Sequence, residues 1–434
     1  AISLDRSTFG SNFYRVERSI SKPISSWMPP VRDHYYLDNA ATSWPKPEAV
    51  YTFMDQFFRS HGVNPGRAGH ELAIEAEHMI VSTRRMLAEF FGFTGDPNRV
   101  VFSQNVTDSL NTAMYGLLKP GDHLIITRLE HNSVLRPANH LERDGGVEVT
   151  RIGRSVDGYV DPDDIRKAIK PNTKVVVINH GSNVLGSVQD ATEIGRIVAE
   201  TDALFVIDTA QTAGVVDIDM EAMNIDVLTF TGHKGLFGPM GIGGLLVKEG
   251  VEIRAPRVGG TGVDSITPFQ PDTYPHRLEA GTPNVGGIAG LHGAQKWFAE
   301  LGAEQLGAAA AGKSHKELCK AALAHVHEVE LGHVLKIDQA LRAMDGVTVY
   351  GPSNNPMRVS TMVMNIDAIK APQVGEMMDA DHHLCVRAGL HCAPLAHEDQ
   401  GTLASDGAVR IAPGYFTDDE DIAQLIQAVE ELAG

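Results

Sequence analysis

The chain has 434 residues, of which 43% are hydrophobic, and a formal net charge of −18 at pH 7. A chain of this length can bury a large core and is expected to divide into two domains, whereas its acidic balance argues against nucleic acid or an anionic membrane as the main partner. No apolar run in the sequence approaches membrane-spanning length, and the three cysteines, Cys319, Cys385 and Cys392, are too few for a disulfide framework, which favours a reducing, cytoplasmic compartment.

The N-terminal segment has a mixed character. Residues 1–30 contain three arginines and several serines, as transit peptides do, but Asp5 and Glu17 interrupt that pattern. We therefore expect a bacterial-type N-terminal arm rather than a targeting segment.

Short β-branched runs alternate with helical patterns along the middle of the chain, which is typical of a mainly parallel sheet wrapped by helices. In such sheets ligands bind at the carboxyl ends of the strands. Strands are predicted at residues 101–103, 124–127, 174–179, 204–208, 227–231 and 244–247. These elements predict a large α/β domain over residues 46–300.

The character of the sequence changes near residue 300, where an Ala-rich helical stretch begins. Two later runs, 346–351 and 360–365, have the pattern of strands. They predict a smaller α+β domain over residues 301–434.

Two polar groups follow early strands. After the strand 101–103, small polar residues precede a helical pattern, and the N–H groups and hydroxyl at such a helix start suit a phosphate. The alternative is a plain N-cap at Thr107 or Asp108. His131 follows the strand 124–127, where an imidazole can stack on a flat cofactor or shuttle a proton, although a lone histidine there is usually a hydrogen-bonded loop residue.

A carboxylate and an amine follow two later strands. Asp208 ends the run 205–208 and can hold a pyridine nitrogen protonated, with Gln211 within reach of a phenolic oxygen. Lys234 stands where the apolar run 227–230 gives way to glycines, so desolvation can lower its pKa and favour a Schiff base. Alone, Asp208 is more often a loop cap or a metal ligand, and Lys234 a surface lysine. Their order along the chain favours a pyridoxal phosphate site.

Further segments extend this pattern over most of the chain. The matching stretches are residues 36–42, 64–70, 129–132, 182–186, 208–211, 231–234, 279–284 and 386–394. With these segments the chain resembles the class V aminotransferase family, and within it the cysteine desulfurase and selenocysteine lyase group. The resemblance implies a PLP-dependent transferase of fold type I, with a mainly parallel seven-stranded sheet, a smaller α+β domain, and an N-terminal arm at residues 1–45 that joins the small domain.

The resemblance also implies how the cofactor, pyridoxal 5'-phosphate, is held. The expected contacts are Lys234 as a Schiff base, Asp208 at the pyridine nitrogen, Gln211 at the phenolic oxygen, His131 stacked on the ring, and Thr107, Thr231 and His233 at the phosphate. Thr282 is expected to reach the phosphate from the other subunit of a homodimer. Val106 stands where the family often has a second hydroxyl residue, so Ser103 or backbone groups are expected to replace it.

For the reaction, the resemblance implies L-cysteine as substrate, with sulfur passed to Cys392 as a persulfide and then to an acceptor protein, in sulfur metabolism such as iron–sulfur cluster assembly. The expected catalytic residues are Lys234, Cys392 and His131, and the expected substrate contacts are Asn183, Arg410, Arg387 and His70. A guanidinium fork at Arg410 suits the bidentate grip of an α-carboxylate, although a surface salt bridge is the ordinary alternative.

The residues around Cys392 indicate the charge state and the exposure of its thiol. His391 beside it and Arg387 five residues earlier are expected to add positive field that favours the thiolate. A buried cysteine acting as a small hydrophobe is the alternative, but Pro394, Gly389 and the flanking histidines favour a partly exposed loop. Only 17 residues separate Cys392 from Arg410, which predicts a short, ordered loop.

Other interpretations stay open. The same scaffold suits a selenocysteine lyase or a cysteine or cystine C–S lyase, and a non-catalytic PLP-binding homologue is a further alternative. The histidine-containing segment 313–335 suggests a metal site, but His325 and His327 are two residues apart and point to different helix faces, so an exposed helix at the edge of the small domain is expected. Cys319 is expected to be structural, and Cys385 to be buried, protonated and inert.

Overall fold

The computed structural model describes residues 34–66 and 69–434. Most of the predicted N-terminal arm, including residues 1–30, lies outside the described residues. The strands are β1 (Tyr35–Tyr36), β2 (Val100–Ser103), β3 (His123–Thr127), β4 (Glu148–Ile152), β5 (Thr173–Asn179), β6 (Leu204–Asp208), β7 (Val227–Thr231), β8 (Gly243–Val247), β9 (Val347–Tyr350), β10 (Met362–Ile366), β11 (Leu384–Cys385), β12 (Arg387–Gly389) and β13 (Ala408–Ile411). The helices are α1 (Glu48–His61), α2 (Glu71–Phe90), α3 (Val106–Leu117), α4 (Asn132–Asp144), α5 (Pro162–Ala168), α6 (Ala191–Val198), α7 (Val285–Leu306), α8 (His315–Arg342), α9 (Ala371–His382), α10 (Pro394–Asp399) and α11 (Asp419–Ala433).

The largest sheet of the described residues has seven strands in the order β2-β8-β7-β6-β5-β3-β4. The strands from β4 through β3, β5 and β6 to β7 run parallel, and β8 pairs antiparallel with both β7 and β2. The mainly parallel seven-stranded sheet is therefore confirmed, and the predicted strands lie within one residue of the observed ones.

Apolar side chains cover both faces of this sheet. Along β5, Val175 and Val177 pack into one core while Val176 and Ile178 pack into another. Successive strand residues point to opposite faces, so a continuous apolar run is what a strand buried on both sides requires. The sheet is thus buried on both faces, and its carboxyl-terminal edge is where polar residues of β5, β6 and β7 meet.

A second sheet, with the order β12-β13-β10-β9, is antiparallel throughout, and β1 pairs in parallel with β11. Its core includes Met362, Met364 and Ile411. This is the smaller α+β part of the fold that the sequence predicts. The boundary between residues 300 and 301 falls inside α7 and stays a prediction.

The prediction of an exposed edge helix at residues 313–335 is wrong. Helix α8 buries Cys319 and Leu323 in the same core as α7, while Val334 and Ile337 enter the core of the second sheet. The helix has one apolar face along its 28 residues. Its N-terminal half packs into the core shared with α7, and its C-terminal half packs into the core of the second sheet. Among the described residues no group of three or more histidine, cysteine or acidic side chains is placed to hold a metal ion. Within the same residues, none of the helices has the length and apolarity to cross a membrane.

Candidate active site

Lys234 lies just beyond β7, where the buried strand leaves the sheet. Part of its side chain is accessible, but its amino group lies among protein atoms, and burial lowers its pKa to about 8, with the Arg410 charge acting in the same direction. An ordinary lysine has a pKa near 10.4. Lys234 therefore has an amine that is partly neutral near neutral pH, as Schiff-base formation requires.

Asp208 ends the neighbouring strand β6 and is 2% exposed. Its Oδ1 accepts a hydrogen bond from the backbone N–H of Ala210 at 2.9 Å. Burial raises the pKa of Asp208, and the Ala210 bond and the Lys234 charge oppose that rise. A cationic ring nitrogen would be a charged hydrogen-bond partner for this buried carboxylate. Three residues on, Gln211 donates from Nε2 to the carbonyl of Ala40 at 3.1 Å.

His131 precedes α4 and caps it. Its Nδ1 accepts from the backbone N–H of Ser133 at 3.1 Å. Burial, followed by the charge of Lys234, lowers the pKa of His131 to about 4. The ring is therefore neutral, with its proton on Nε2. It lies close enough to Lys234 for the amine charge to act on it, as is expected of a residue that stacks on the cofactor or carries a proton.

The start of α3 differs in detail from the expected N-cap. Asn105, and not Thr107 or Asp108, caps the helix, because its Oδ1 accepts from the N–H of Asp108 at 3.1 Å. Val106 is buried and Thr107 is exposed in the first turn. Ser103 cannot readily replace a second hydroxyl, because its Oγ contacts the carbonyl of Asn105 at 3.0 Å and another hydroxyl at 2.7 Å. The backbone groups of the first turn are the better candidates.

Two buried polar atoms beside this helix point to a ligand. Thr231 Oγ1 and His233 Nδ1 have no hydrogen-bond partner among the described residues. Burial is also the main reason that the pKa of His233 is lowered to about 4, so its ring is neutral. Buried polar groups are rarely left unpaired, and a phosphate at this strand end would supply the missing partners. The residues present therefore fit the phosphate group of the implied cofactor.

Thr282 lies apart from the Lys234 cavity. It is exposed beside Gly281 and shares a surface groove with Arg257 and Glu279. The prediction that it serves the site of a second subunit remains a prediction.

Arg410 stands on β13 and is 1% exposed. Its Nη2 donates to Oδ1 of Asp38 at 2.6 Å and its Nη1 to the carbonyl of Asn183 at 3.3 Å, while its Nε has no partner among the described residues. The guanidinium is thus oriented by the carboxylate of Asp38, to which the sequence motifs assign no role. Asp38 could have been found from its place in the matched segment 36–42.

The side-chain amide nitrogen of Asn183 is already hydrogen-bonded within the protein. Its Nδ2 donates to the carbonyl of His391 at 2.7 Å, and its Oδ1 is buried without a partner among the described residues. A substrate carboxylate needs donors, so the free oxygen of Asn183 is poorly suited to grip it directly. The expected carboxylate contact therefore falls mainly to Arg410.

Cys392 lies between β12 and α10 and is partly exposed. Its Sγ is 3.9 Å from Nη2 of Arg387, and its carbonyl accepts from the N–H of Asn132 at 2.6 Å. Asn132 directly follows His131, so the thiol loop touches the turn that carries the ring expected at the cofactor.

The expected role of His391 as a source of positive field is wrong. His391 is 3% exposed, and burial, with Arg410 adding to it, lowers its pKa to about 2, so the ring is neutral. The second flanking histidine, His397, is also fully buried. Cys392 is therefore partly exposed although the histidines beside it are not, and of the two expected cations only Arg387 carries charge.

His70 is exposed and caps α2 through Nδ1, which accepts from the N–H of Ala73 at 3.2 Å. In the described part of the chain it does not line the cavity at Lys234. Its expected contact with substrate stays a prediction.

Two buried acids near the site were not predicted. Burial raises the pKa of Glu130 to about 8 and that of Glu330 to about 7. Glu330 lines the cavity at Lys234 and accepts from Ser360 Oγ at 3.0 Å. Glu130 directly precedes His131 in a matched segment, whereas Glu330 lies on a helix that carried no local signal.

Known proteins similar to this chain have a common description. A family model, Aminotransferase class-V, matches residues 35–425. A probable cysteine desulfurase of Methanothermobacter thermautotrophicus is 30% identical over 416 residues, which are 94% of this chain and 96% of that protein. One from Halalkalibacterium halodurans is 32% identical over 405 residues, 91% of this chain and 92% of that protein. A solved apo structure of a cysteine desulfurase from Thermococcus onnurineus NA1 is 30% identical, has a TM-score of 0.81, and covers 92% of this chain and 94% of its own.

Proposed function

The chain belongs to the class-V aminotransferase family, and on that basis we propose that it is a pyridoxal-phosphate-dependent cysteine desulfurase. It converts L-cysteine to L-alanine and holds the sulfur on Cys392 as a persulfide for an acceptor. The observation that carries the proposal is the contact between the two reactive regions. The N–H of Asn132 donates to the carbonyl of Cys392, and the adjacent His131 lies in the field of Lys234.

Residues at the ends of two neighbouring strands, β6 and β7, support the cofactor. Asp208 would hold the pyridine nitrogen, the unpaired atoms of Thr231 and His233 would take the phosphate, and Lys234 would form the covalent bond. When bound, pyridoxal phosphate withdraws electrons from the substrate's Cα, so that a proton can leave there.

Lys234 is suited to moving that proton. Because its pKa is lowered to about 8, a fraction of Nζ is neutral near neutral pH and can accept the proton from Cα. Arg410 orients the substrate, because its unpaired Nε is a donor for the α-carboxylate and its Nη2 is fixed by Asp38. These two residues together define which face of the substrate meets the amine.

Cys392 receives the sulfur. Its thiolate attacks the substrate's sulfur, the S–S bond forms as the C–S bond breaks, and the electron pair stays on carbon, where protonation gives the methyl group of alanine. One L-cysteine and one thiol give one L-alanine and one persulfide, so the step needs no oxidant. Arg387, with Nη2 at 3.9 Å from Sγ, stabilises negative charge on the sulfur.

Product analysis tests this function. Alanine and sulfide are measured from L-cysteine with and without a thiol reductant, and L-selenocysteine is supplied in parallel. We expect multiple turnovers of alanine with sulfide only when the reductant is present, because the persulfide must be discharged. Equal sulfide release without reductant, with no persulfide on Cys392, would instead identify a C–S lyase. Turnover of L-selenocysteine alone would identify a selenocysteine lyase.

We also propose a twofold homodimer, in which Thr282 of one subunit completes the phosphate site of the other. Its exposed position outside the Lys234 cavity supports this arrangement, because shared sites of this kind require an isologous pair. Light scattering at assay concentration checks it. A monomer with full activity would contradict the proposal.

A further inference from the structure

The turn that carries the thiol is strained. His391 has a φ of 48° and Cys392 a φ of 56°, so two consecutive residues with side chains occupy the left-handed region. That region is unfavourable for residues other than glycine and persists only where the surroundings hold it. The contacts that hold this turn therefore determine where the thiol lies.

Backbone contacts hold one side of the turn. The carbonyl of His391 accepts from Asn183 Nδ2 at 2.7 Å, and that of Cys392 from the N–H of Asn132 at 2.6 Å. Asn183 lies in the loop after β5 and Asn132 is the first residue of α4, so both donors follow strands of the large sheet at its carboxyl end. They fix the carbonyl groups but leave the direction of the side chains to other contacts.

A chain of side chains holds the other side. His391 Nε2 lies 3.1 Å from the carbonyl of Arg387, and His391 Nδ1 lies 3.1 Å from His397 Nε2. At the far end, His397 Nδ1 lies 2.8 Å from Thr402 Oγ1. All three side chains are buried, with exposures of 3%, 0% and 2%.

The hydrogen-bond partners determine which ring nitrogens carry a hydrogen. A carbonyl only accepts, so His391 Nε2 carries the hydrogen and His391 Nδ1 accepts from His397 Nε2–H. His397 Nδ1 then accepts from the Thr402 hydroxyl at 2.8 Å, which is the shorter of two contacts, since that hydroxyl also lies 3.2 Å from the carbonyl of His397. This order needs two neutral rings, and burial lowers the pKa of His391 to about 2 and that of His397 to about 4. The relay is therefore directional and intact over the neutral range.

His397 is itself fixed to the large sheet. It lies on α10, where Asp399 pairs with Arg128 at 2.6 Å. The buried Arg154 donates from Nη2 to the carbonyl of Ala396 on the same helix at 3.1 Å. The relay thus connects an anchored helix to the strained turn.

We propose that His391, His397 and Thr402 form a positioning relay that holds the left-handed turn in the geometry from which Cys392 accepts sulfur. None of the three touches substrate; they act through the backbone of the turn. The proposal rests on the proposed function in one respect, namely that Cys392 is the sulfur acceptor. The conformation of the turn can be measured independently of that role.

Turnover and amide hydrogen exchange of the full-length, cofactor-loaded enzyme test the relay. We expect His397→Leu to lower kcat for L-cysteine at least tenfold while KM stays within threefold, and to speed exchange in the peptide covering residues 387–397. His397→Gln, whose amide nitrogen can donate in place of Nε2, should recover at least a third of kcat. Thr402→Val, which keeps the shape and loses the hydroxyl, should lower kcat two- to fivefold.

His123→Leu is the matched control. His123 is buried at the opposite end of the large sheet and bridges Thr173 and Thr150 at 2.8 Å each. This variant should keep kcat within twofold and leave exchange at residues 387–397 unchanged.

Several outcomes would overturn the relay. The first is that His397→Leu leaves kcat and hydrogen exchange unchanged. The second is that His397→Gln or His123→Leu lowers kcat as much as His397→Leu does. Should His397→Leu not fold, unchanged kcat and exchange in Thr402→Val would decide against it. Full cysteine turnover in Cys392→Ala would refute the sulfur-acceptor role instead, and the exchange measurement would still show whether the relay holds the turn.

Discussion

The amine and the thiol are positioned by different kinds of structure. Lys234 follows β7, whose five residues are all buried and which is paired on both sides within the large sheet. Cys392 follows the three-residue strand β12 and is held by side chains from separate parts of the chain. Backbone pairing resists single substitutions, whereas a turn held by a few side chains does not. The amine should therefore lose function only when it is itself replaced, and the thiol also when its neighbours are.

Removing the amine should have the largest effect. Lys234→Ala should abolish the cofactor absorbance and lower turnover by at least about 1000-fold, because proton transfer at Cα is lost. The melting temperature should change little, since one strand-end side chain contributes little to the core. Absorbance, alanine formation and thermal unfolding check this. Lys248→Ala, at a partly exposed lysine paired with Asp226, is the control, and wild-type turnover in Lys234→Ala would refute the assignment.

Removing the thiol should separate the two regions. Cys392→Ala should lower cysteine turnover about 100-fold but keep the cofactor absorbance, because the strand-end groups are untouched. Much of any selenocysteine activity should remain, since selenide leaves more readily without a nucleophile. Alanine formation from both substrates measures the separation. Equal loss on both substrates would contradict it.

The Asp38–Arg410 pair joins the small sheet to the site and should have an intermediate effect. Arg410 is buried and Asp38 is its carboxylate partner at 2.6 Å, so Asp38→Asn leaves a buried cation without its counter-charge. We expect KM for L-cysteine to rise about tenfold, with a smaller change in kcat, because substrate orientation is lost. Steady-state kinetics measure the two constants.

Asp55→Asn is the control for that substitution, because Asp55 pairs with Arg59 on the exposed surface of α1. Exposed ion pairs contribute little, so its KM should not change. A KM unaltered by Asp38→Asn would show that the guanidinium is oriented by other contacts.

The sequence predicts the amine region better than the thiol region, for a physical reason. Asp208 and Lys234 follow continuous apolar runs, and such runs specify buried parallel strands whose ends meet at one edge. The contacts of His391 with His397 arise from how a short loop packs, and no spacing rule encodes them. The resemblance identified the thiol, whereas the position of His391 beside it led to the expectation of a charged ring, because burial cannot be deduced from a loop sequence.

Helix α8 illustrates the same limit on a larger scale. Its histidines suggested an exposed edge, yet its apolar residues serve two cores at different ends of the helix. Glu330 lines the cavity at Lys234 because the helix packs in this way. Periodicity predicts a helix and its buried face, but it does not identify the surface against which that face packs.

Acid should destabilise both regions through their neutral histidines. In the described chain ten histidines have pKa values lowered mainly by burial. The pKa falls to about 4 for His131, His180, His233, His292 and His397 and to about 2 for His391. It is also lowered for His123, His315, His327 and His333. The unfolded chain binds protons below its ordinary histidine pKa of 6.5 and the folded chain does not. Stability from these groups is therefore full above pH 6.5 and falls as the pH drops toward 4.

Glu130 and Glu330 act in the opposite direction, because their raised pKa values favour the folded state at low pH. Burial raises the pKa values of Asp208 and Asp421 as well. The ten histidines outnumber these four acids, so the melting temperature should fall between pH 6.5 and pH 4.5. Each unit of pKa shift corresponds to about 1.4 kcal/mol. Thermal unfolding across that range tests the sign, and a melting temperature that rises with acid would contradict it.

The smallest effect is expected at Cys385, seven residues before Cys392. It lies on β11, paired with Tyr36, and burial, with Asp379 and Asp38 adding to it, raises the pKa of its thiol. A protonated thiol is a poor nucleophile, so Cys385→Ser should change cysteine turnover less than twofold. After incubation with L-cysteine and alkylation, peptide mass analysis should find the added sulfur on the Cys392 peptide alone. Added sulfur on the Cys385 peptide would mean that a strand, and not the side-chain-held turn, carries the acceptor thiol.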